Sequence, residues 1–160
     1  MPQHNVIVVL MIPDFDADGK LPVGIHWAEW AEVVDKFWLT AHRKRLLMGL
    51  KMALEQLKAA GCSVFFLDGS FVTAKEHPED YDACWDVVGV DPTNLDPIFF
   101  DFLDFDRARA AQKAKYFGEF FPAQVPEGIT GKRFVDFFQT DKDTGTSKGI
   151  VALDLRRWQP

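Results

Sequence analysis

The chain has 160 residues, of which 48% are hydrophobic and 14% are aromatic, and it carries a formal net charge of -6. This length and composition predict one globular domain with a buried core, and they exclude an intrinsically disordered chain. The acidic charge excludes a protein that coats DNA or RNA generically, since such proteins are basic, although it leaves room for a local basic patch.

The first third of the chain predicts one strand and two helices. Val6–Ile12 is rich in β-branched residues, which is typical of a buried strand, and it is too short to span a membrane. A turn-rich loop, Pro13–Pro22, follows it. Apolar residues spaced three and four apart predict a helix over Trp27–Phe37 and a longer helix over Ala41–Ala60, which Gly61 would end.

The rest of the chain alternates between short strands and short helices. The predicted strands are Ser63–Asp68, Asp80–Val88, Tyr116–Phe121 and Gly149–Leu155. The predicted helices are Phe71–Lys75, Pro92–Phe102, Arg107–Lys115 and Arg133–Phe138. Together these elements predict an α/β (α+β) fold, in which a small mixed β-sheet is flanked by helices. We expect a single domain with a core over 41–123, an N-terminal strand, loop and helix over 1–40, and a C-terminal extension over 124–160.

The two cysteines carry no sign of a metal or redox site. Cys62 and Cys84 do not form a Cys-x-x-Cys pair, so neither a structural zinc site nor a redox couple is predicted. Such sparse cysteine use is typical of a reducing cytoplasm. Because no apolar run is long enough to span a membrane, we expect a soluble, cytoplasmic protein that makes no membrane contact.

The residues that suggest a chemical function lie in the middle of the chain, from the end of one predicted strand into the next. Gly69 lets the backbone pass close to a ligand, and Ser70 opens a predicted short helix, where amide N–H groups and a hydroxyl can bind phosphate. Asp80 and Asp82 are two apart on a predicted strand, so they point to one side with Cα atoms about 6.5 Å apart. Two such carboxylates can share metal ions held roughly 4 Å apart, and Mg²⁺ prefers carboxylates together with substrate phosphates.

The order Gly-Ser, nine residues, Asp-x-Asp resembles the signature of polymerase-beta-type nucleotidyltransferases, especially the minimal bacterial ones. Leu67-Asp68-Gly69-Ser70-Phe71 stands where that motif stands, and Pro78 fits the small loop before the acidic pair. The resemblance implies a nucleotidyltransferase-like fold in which Asp80 and Asp82 bind two Mg²⁺ (or Mn²⁺) ions and Gly69-Ser70 holds the triphosphate of an NTP. It also implies a third carboxylate, from a later strand, that activates the acceptor hydroxyl.

Two parts of that family pattern are not obvious in this chain. Minimal members usually carry an Arg shortly after the Gly-Ser, whereas Lys75 is the nearest cation here. Glu119 is our candidate for the third carboxylate, as a metal ligand and as the group that activates the acceptor. The alternative is that the third carboxylate is absent, and the site would then bind a metal nucleotide but transfer poorly. Lys75 and Lys113 are the candidates for neutralising phosphate charge.

The whole chain also resembles an uncharacterised bacterial family of similar length. The shared stretches are Leu21-Pro22-x-Gly24-Ile25-His26, the run from Gly69 to Lys75, Cys84-Trp85-Asp86, Gln112-Lys113 and Gly118-Glu119-Phe120-Phe121-Pro122. This second resemblance implies no activity beyond the transferase fold.

Three groups of basic residues carry weaker signals. His42-Arg43-Lys44-Arg45 opens a predicted helix, where cations oppose the helix dipole, so a solvated first turn and a binding role both stay open. Arg109 and Lys113 are four apart on a predicted helix and could reach one phosphate-rich ligand, or they could belong to a solvated face. Lys148 precedes the last predicted strand and could contact a phosphate.

Two functions fit these observations. The first is an enzyme that moves a nucleoside monophosphate from an NTP to an RNA end, a protein hydroxyl or a small molecule, and the resemblance implies a setting in a toxin–antitoxin or defence pair. The second is a catalytically weak or inactive protein of the same fold that binds a partner protein, as an antitoxin or regulatory module. The position of Glu119 relative to Asp80 and Asp82 separates the two functions.

Overall fold

Five strands form one mixed sheet among residues 11–103, 107 and 109–159, which are the residues that the structure, a computed structural model, describes. The strands are β1 (Gly24–Trp27), β2 (Val64–Asp68), β3 (Tyr81–Trp85), β4 (Gly118–Pro122) and β5 (Gly149–Asp154). Their order across the sheet is β1-β5-β2-β3-β4. β2 runs antiparallel to β5 and β3, whereas the β1–β5 and β3–β4 pairs are parallel. The predicted small mixed sheet is confirmed, and it takes strands from all three predicted segments of the chain.

Four α-helices accompany the sheet in the described residues. They are α1 (Trp30–Phe37), α2 (Ala41–Ala59), α3 (Ala110–Tyr116) and α4 (Phe134–Phe137), and two 3₁₀ helices span Ser70–Val72 and Pro97–Leu103. Thr40 caps α2, since its hydroxyl accepts a hydrogen bond from the backbone N–H of Arg43 at 3.1 Å. As predicted, Gly61 follows the end of this helix, with a φ of 96°. No helix in this part of the chain is long and apolar enough to cross a membrane.

The two faces of the sheet are covered differently. Alternate side chains of a strand point to opposite faces. One face packs on α1, α2 and α3 in the main hydrophobic core, through residues that include Phe65, Leu67, Ala83, Phe120, Val151 and Leu153. The other face forms a smaller cluster with α4, through residues that include Cys84, Phe121, Phe134, Val135 and Ile150. The acidic residues described below belong to this second face.

The predicted helix over Trp27–Phe37 is wrong at its start. Gly24–Trp27 is a strand, and the helix begins only at Trp30. Strand β1 owes its conformation to parallel pairing with β5, in which Gly24 lies opposite Gly149, far along the chain. Local periodicity cannot reveal such a partner. The predicted strand Val6–Ile12 lies mostly outside the described residues, and its last two residues are not in a strand.

The remaining predicted elements are confirmed in type but differ in their bounds. The strand predicted over Asp80–Val88 spans only Tyr81–Trp85 in the structure, so Asp80 precedes it. In place of the helix predicted over Phe71–Lys75, the structure has the 3₁₀ helix Ser70–Val72. Buried Arg43 donates hydrogen bonds to the carbonyl oxygens of Phe71, Thr73 and Lys75, and these bonds hold this segment of the chain against α2.

Candidate functional site

Three carboxylates lie side by side on adjacent strands. Asp68, the last residue of β2, pairs with Asp82 of β3, and Asp82 pairs with Glu119 of β4. Because directly paired residues project to the same face, their side chains form one row on the second face of the sheet. Asp80 lies two residues before Asp82 and extends the cluster. The structure therefore brings together all three acidic residues that the sequence predicted, and it adds Asp68.

Two cations pair with the carboxylates at the outer end of this row: Lys113 of α3, and Arg109, which directly precedes α3. Lys113 Nζ lies 3.0 Å from Glu119 Oε1 and 3.6 Å from Asp80 Oδ2, and Arg109 Nη2 donates to Glu119 Oε1 at 3.2 Å. The chain passes from α3 into β4 with one residue between them, so both cations are close to Glu119 in sequence. Arg109 and Lys113 thus pair with carboxylates of the protein itself, which neither alternative for these two residues had anticipated.

Burial and crowded negative charge shift the proton affinities within the row. The pKa of Asp82 is raised to about 7 by burial, by the charges of Glu119 and Asp80, and by a hydrogen bond with the Glu119 carboxyl group. Burial and the charge of Glu119 also raise the pKa of Asp80, although Lys113 opposes this. Burial alone would raise the pKa of Glu119, but the hydrogen bond from Lys113 and the charge of Arg109 lower it. The row holds an ionised Glu119 beside an Asp82 that titrates near neutral pH, a crowding that a divalent cation would relieve.

Asp68 is the acidic residue that sequence analysis missed. Its side chain is fully buried, and among the described residues its Oδ1 atom has no hydrogen-bond partner. The Cys84 thiol lies 3.9 Å from Oδ2 of Asp68. Burial and the charge of Asp82 raise the pKa of Asp68 well above its usual range, against the weaker influence of Lys148. The available signal was an Asp at the end of an apolar run, directly before Gly-Ser. Such a position is on the same sheet face as Asp82 once the two strands pair.

The Gly69-Ser70 turn lies directly against the acidic row. Gly69 has a φ of 76° and a ψ of -166°, a conformation that favours glycine. A Cβ at this position would collide with Oδ2 of Asp82. The Ser70 carbonyl accepts hydrogen bonds from the N–H of Thr73 at 3.2 Å and from its hydroxyl at 2.5 Å, which close the turn. The glycine therefore allows contact between the turn and Asp82, a reason that the sequence alone did not supply.

A cleft of about 810 Å³ opens over this turn. Its near wall carries Gly69, Ser70, Asp80 and Asp82 together with Lys75, so four predicted site residues and the nearest predicted cation line one space. Glu119 and Lys113 adjoin Asp80 and Asp82 but are not among the residues that line the cleft. A volume of this size is typical of a small-molecule or cofactor site.

The far wall of the cleft comes from the C-terminal extension and was not predicted. Residues 130–148 supply it, and they include Lys132, Phe137, Lys142 and Lys148. Lys148 was predicted only as a weak phosphate contact. Single lysines in turn-rich sequence carry no signal of their own, and only the folding of the extension over the second sheet face places them opposite Gly69-Ser70.

The pattern of a family of unknown function, DUF6932, matches residues 13–154. The chain belongs to this family. The matched stretch contains all five strands, both walls of the cleft and the four carboxylates. No curated protein and no solved structure matches the chain. Assignment to DUF6932 thus leaves the chemistry of the cleft to be inferred from its geometry.

The donor set in this DUF6932 chain suits Mg²⁺ held jointly with a substrate. Among the described residues, no three His, Cys, Asp or Glu side chains are grouped so as to hold a metal ion by themselves. Mg²⁺ does not need such a cage, because it commonly binds one or two carboxylates together with substrate phosphates and water. Asp80 and Asp82 line the cleft and would provide these two carboxylates, and Gly69 and Ser70 line the same space.

We expect the metal-free protein to become more stable as the pH falls from about 8.5 to about 6. The folded-state pKa of Asp82 is about 7, above its usual value of 3.8, so the folded chain binds this proton more tightly than the unfolded chain. The resulting stabilisation is complete at low pH and is lost as the pH rises through about 7. Asp68 shifts in the same direction. Thermal melts across this range test the expectation, and the slope should be visibly shallower in Asp82→Asn. A wild-type melting temperature that rises with pH would contradict it.

Proposed function

We propose that the protein is a metal-dependent nucleotidyltransferase, which moves a nucleoside monophosphate from an NTP to an acceptor hydroxyl. One observation carries this proposal: the Asp80/Asp82 pair and the Gly69-Ser70 turn line one cleft, with Gly69 packed directly against Asp82. The arrangement puts a phosphate-sized space next to two carboxylates that are crowded and partly desolvated. That combination fits a metal-bound triphosphate, whose metal neutralises both sets of negative charge.

Each residue of the near wall has a defined part in this proposal. Asp80 and Asp82 hold Mg²⁺ or Mn²⁺, which supplies charge neutralisation for the triphosphate and the leaving pyrophosphate. Gly69 and Ser70 bind the phosphates through backbone N–H groups and the serine hydroxyl. Lys75, an exposed residue of the same wall, adds a positive charge without an ion-pair partner of its own within the described chain.

Glu119 is proposed to position Asp82, because it adjoins Asp82 in the sheet but does not line the cleft in which the acceptor would lie. Its pKa is lowered, so it is ionised and can accept a hydrogen bond from the Asp82 carboxyl group. Lys113 and Arg109 fix its position. A carboxylate held by two cations is a weak base, which also argues against removal of the acceptor proton by Glu119. The acceptor setting in a toxin–antitoxin or defence pair follows only from the resemblance of the motif.

Lys113 and Arg109, the two cations that pair with Glu119, favour a second candidate function. If Lys113 stays on Asp80 and Glu119, it takes the place of a metal, and the protein then acts as a partner-binding module, either an antitoxin or a regulator, with little or no transfer activity. Lys113→Gln separates the two functions. Under the enzyme proposal this change frees Asp80 and Glu119, so Mg²⁺ affinity measured by calorimetry rises. An unchanged, undetectable Mg²⁺ affinity in both proteins supports the module.

We expect NTP binding to require a divalent metal. The acidic pair repels a bare triphosphate, and this repulsion disappears once Mg²⁺ neutralises it. Isothermal titration calorimetry with each NTP, in Mg²⁺ and in EDTA, measures the difference, which should exceed tenfold in the dissociation constant. Equal affinity in the two buffers would refute the proposal. Incubation with labelled NTPs, Mg²⁺ or Mn²⁺ and cell extract then reveals whether label moves to RNA, protein or a small molecule.

Gly69→Ala is expected to weaken nucleotide binding more than Ser70→Ala does. The new Cβ would collide with Asp82, and the positive φ adds strain, of order 1–2 kcal/mol for a non-glycine residue. Ser70→Ala removes one hydroxyl contact worth about 1 kcal/mol. Gly128→Ala is the matched control, because a Cβ there meets nothing within 4 Å. Thermal melts and Mg²⁺–NTP titrations compare the three variants, and a Gly69→Ala protein that behaves like Gly128→Ala would show that the turn does not contact ligand.

A further inference from the structure

The far wall of the cleft carries cations that a triphosphate on the near wall does not require. Lys75 belongs to the near wall, and Lys148, although it comes from the C-terminal extension, acts electrostatically on Asp68 and Asp82. Lys132 and Lys142 come from the far wall, and both are exposed. Within the described chain, neither has an acidic partner within 4 Å, as the ion pairs found there involve other lysines.

Two hydrogen-bonded turns fix the backbone next to Lys132 and Lys142. Glu127 accepts hydrogen bonds from the N–H groups of Ile129 at 3.0 Å and Thr130 at 2.8 Å, just before Lys132. Asp141 accepts from the N–H of Asp143 at 2.8 Å and from that of Thr144 at 3.1 Å, and it also pairs with Lys20. The carboxylates of Glu127 and Asp141 are therefore used within the protein. Asp143 is the exposed carboxylate that remains on this wall, against two lysines.

An aromatic ring lies between these two turns. Phe137 lines the cleft and is half-buried, and it does not belong to the small hydrophobic cluster of the second sheet face. Phe138 does pack on that cluster, and its ring contacts Phe137 at a centroid distance of 5.3 Å and an interplanar angle of 77°. Phe138 also lines the cleft, and its edge contact with Phe137 helps to hold the Phe137 ring there. A supported ring flanked by lysines is the combination that binds a base and its neighbouring phosphates.

We propose that this wall binds the end of a single-stranded nucleic acid, which is the acceptor. The inference rests on the proposed function and names its second substrate. A base stacks on Phe137, and phosphates contact Lys132 and Lys142. In the transfer, the strand-end hydroxyl oxygen bonds to the α-phosphorus of the NTP, the bond from that phosphorus to the β-phosphate oxygen breaks, and pyrophosphate leaves while the hydroxyl proton goes to solvent. The acidic net charge of the whole chain then restricts binding to the cleft, in contrast to a protein that coats nucleic acid.

The test is fluorescence anisotropy with labelled single-stranded oligonucleotides of about ten residues, as RNA and as DNA, in EDTA and without NTP. Binding should fall about tenfold in Phe137→Leu, the loss of one stacked base. Lys132→Gln with Lys142→Gln should reduce the slope of log affinity against log salt by about 0.7 per lysine. The controls are Phe100→Leu, an exposed ring, and Lys51→Gln, both of residues that do not line the cleft. Thermal melts confirm that each variant is folded.

The outcomes separate this inference from the function on which it rests. Cleft-dependent binding of RNA or DNA supports it, and the tighter of the two identifies the acceptor. The inference is overturned if no oligonucleotide binds, if the cleft and control variants bind equally well, or if a labelled poly-glutamate peptide binds as tightly. In each of these cases, Mg²⁺-dependent NTP binding in the same preparation leaves the transferase proposal standing. Binding of the oligonucleotide without any Mg²⁺-dependent NTP binding overturns the transferase proposal, and the role of acceptor with it.

Discussion

Replacing Asp80 and Asp82 together by asparagine should abolish nucleotidyl transfer and Mg²⁺-dependent NTP binding, yet leave the metal-free protein as stable as before or more stable. Both residues have raised pKa values because of burial and neighbouring negative charge, so at pH 8 the fold tolerates two unfavourably placed charges. Asparagine keeps the shape and removes the repulsion. The loss of the 3.6 Å contact between Lys113 and Asp80 costs little, since partly exposed ion pairs contribute about 0–1 kcal/mol.

Thermal melts in EDTA at pH 8 and at about pH 5.5 make this expectation quantitative. Relief of about 1 kcal/mol raises the melting temperature of a chain of this size by roughly 2–4 °C. The rise should be larger at pH 8, where Asp82 is mostly ionised in the wild type, than at pH 5.5, where it is mostly protonated. Asp35→Asn with Glu55→Gln is the matched control, as it removes the same charge from exposed helix positions. A drop of several degrees at pH 8 would mean that the pair is structural, and it would count against a metal site even if activity were lost.

The order of elements could be predicted from the sequence because most elements are locally encoded. The leucine stripe of α2 has helical spacing over about three turns, and the apolar run of β2 is bounded by Gly61 and Gly69, so both were predicted. Strand β1 was not found, because its four residues become a strand only through pairing with β5. Trp27 is exposed in the structure, so it does not belong to the buried apolar stripe from which the helix was predicted.

The near wall of the site could be predicted, whereas its surroundings could not. Gly69, Ser70, Asp80 and Asp82 lie within one stretch of the chain, so strand periodicity placed them together. Glu119 was predicted only as a carboxylate on a later strand, and its place beside Asp82 depends on the pairing of β3 with β4. Asp68 and the far-wall residues Lys132 and Phe137 depend on how distant segments fold together, and no local pattern specifies that.

Arg43→Met should cost about 3–5 kcal/mol of folding free energy, the range typical of breaking a buried charged contact. Arg43 is 1% exposed, and its guanidinium donates to the carbonyl oxygens of Phe71 at 2.8 Å, Thr73 at 2.9 Å and Lys75 at 2.5 Å. It also lies 4.9 Å from the centre of the Phe71 ring. Methionine fills a similar volume but leaves these carbonyls without their donor, and each unsatisfied buried group costs about 1–3 kcal/mol.

The same substitution should weaken Mg²⁺–NTP binding, because Arg43 fixes the loop that begins at the Gly69-Ser70 turn and carries Lys75 into the cleft. This assigns to Arg43 a positioning role that its place in a basic helix start did not suggest, since a solvated turn or a ligand contact were the alternatives there. Lys44→Met is the matched control: Lys44 is exposed, 5.6 Å from the centre of the Trp38 ring, and surface changes usually alter stability by less than about 0.5 kcal/mol. Urea titrations give the stability difference, and calorimetry below the unfolding transition gives nucleotide affinity. If Arg43→Met lost stability but bound Mg²⁺–NTP as tightly as Lys44→Met, the loop would not be part of the phosphate site.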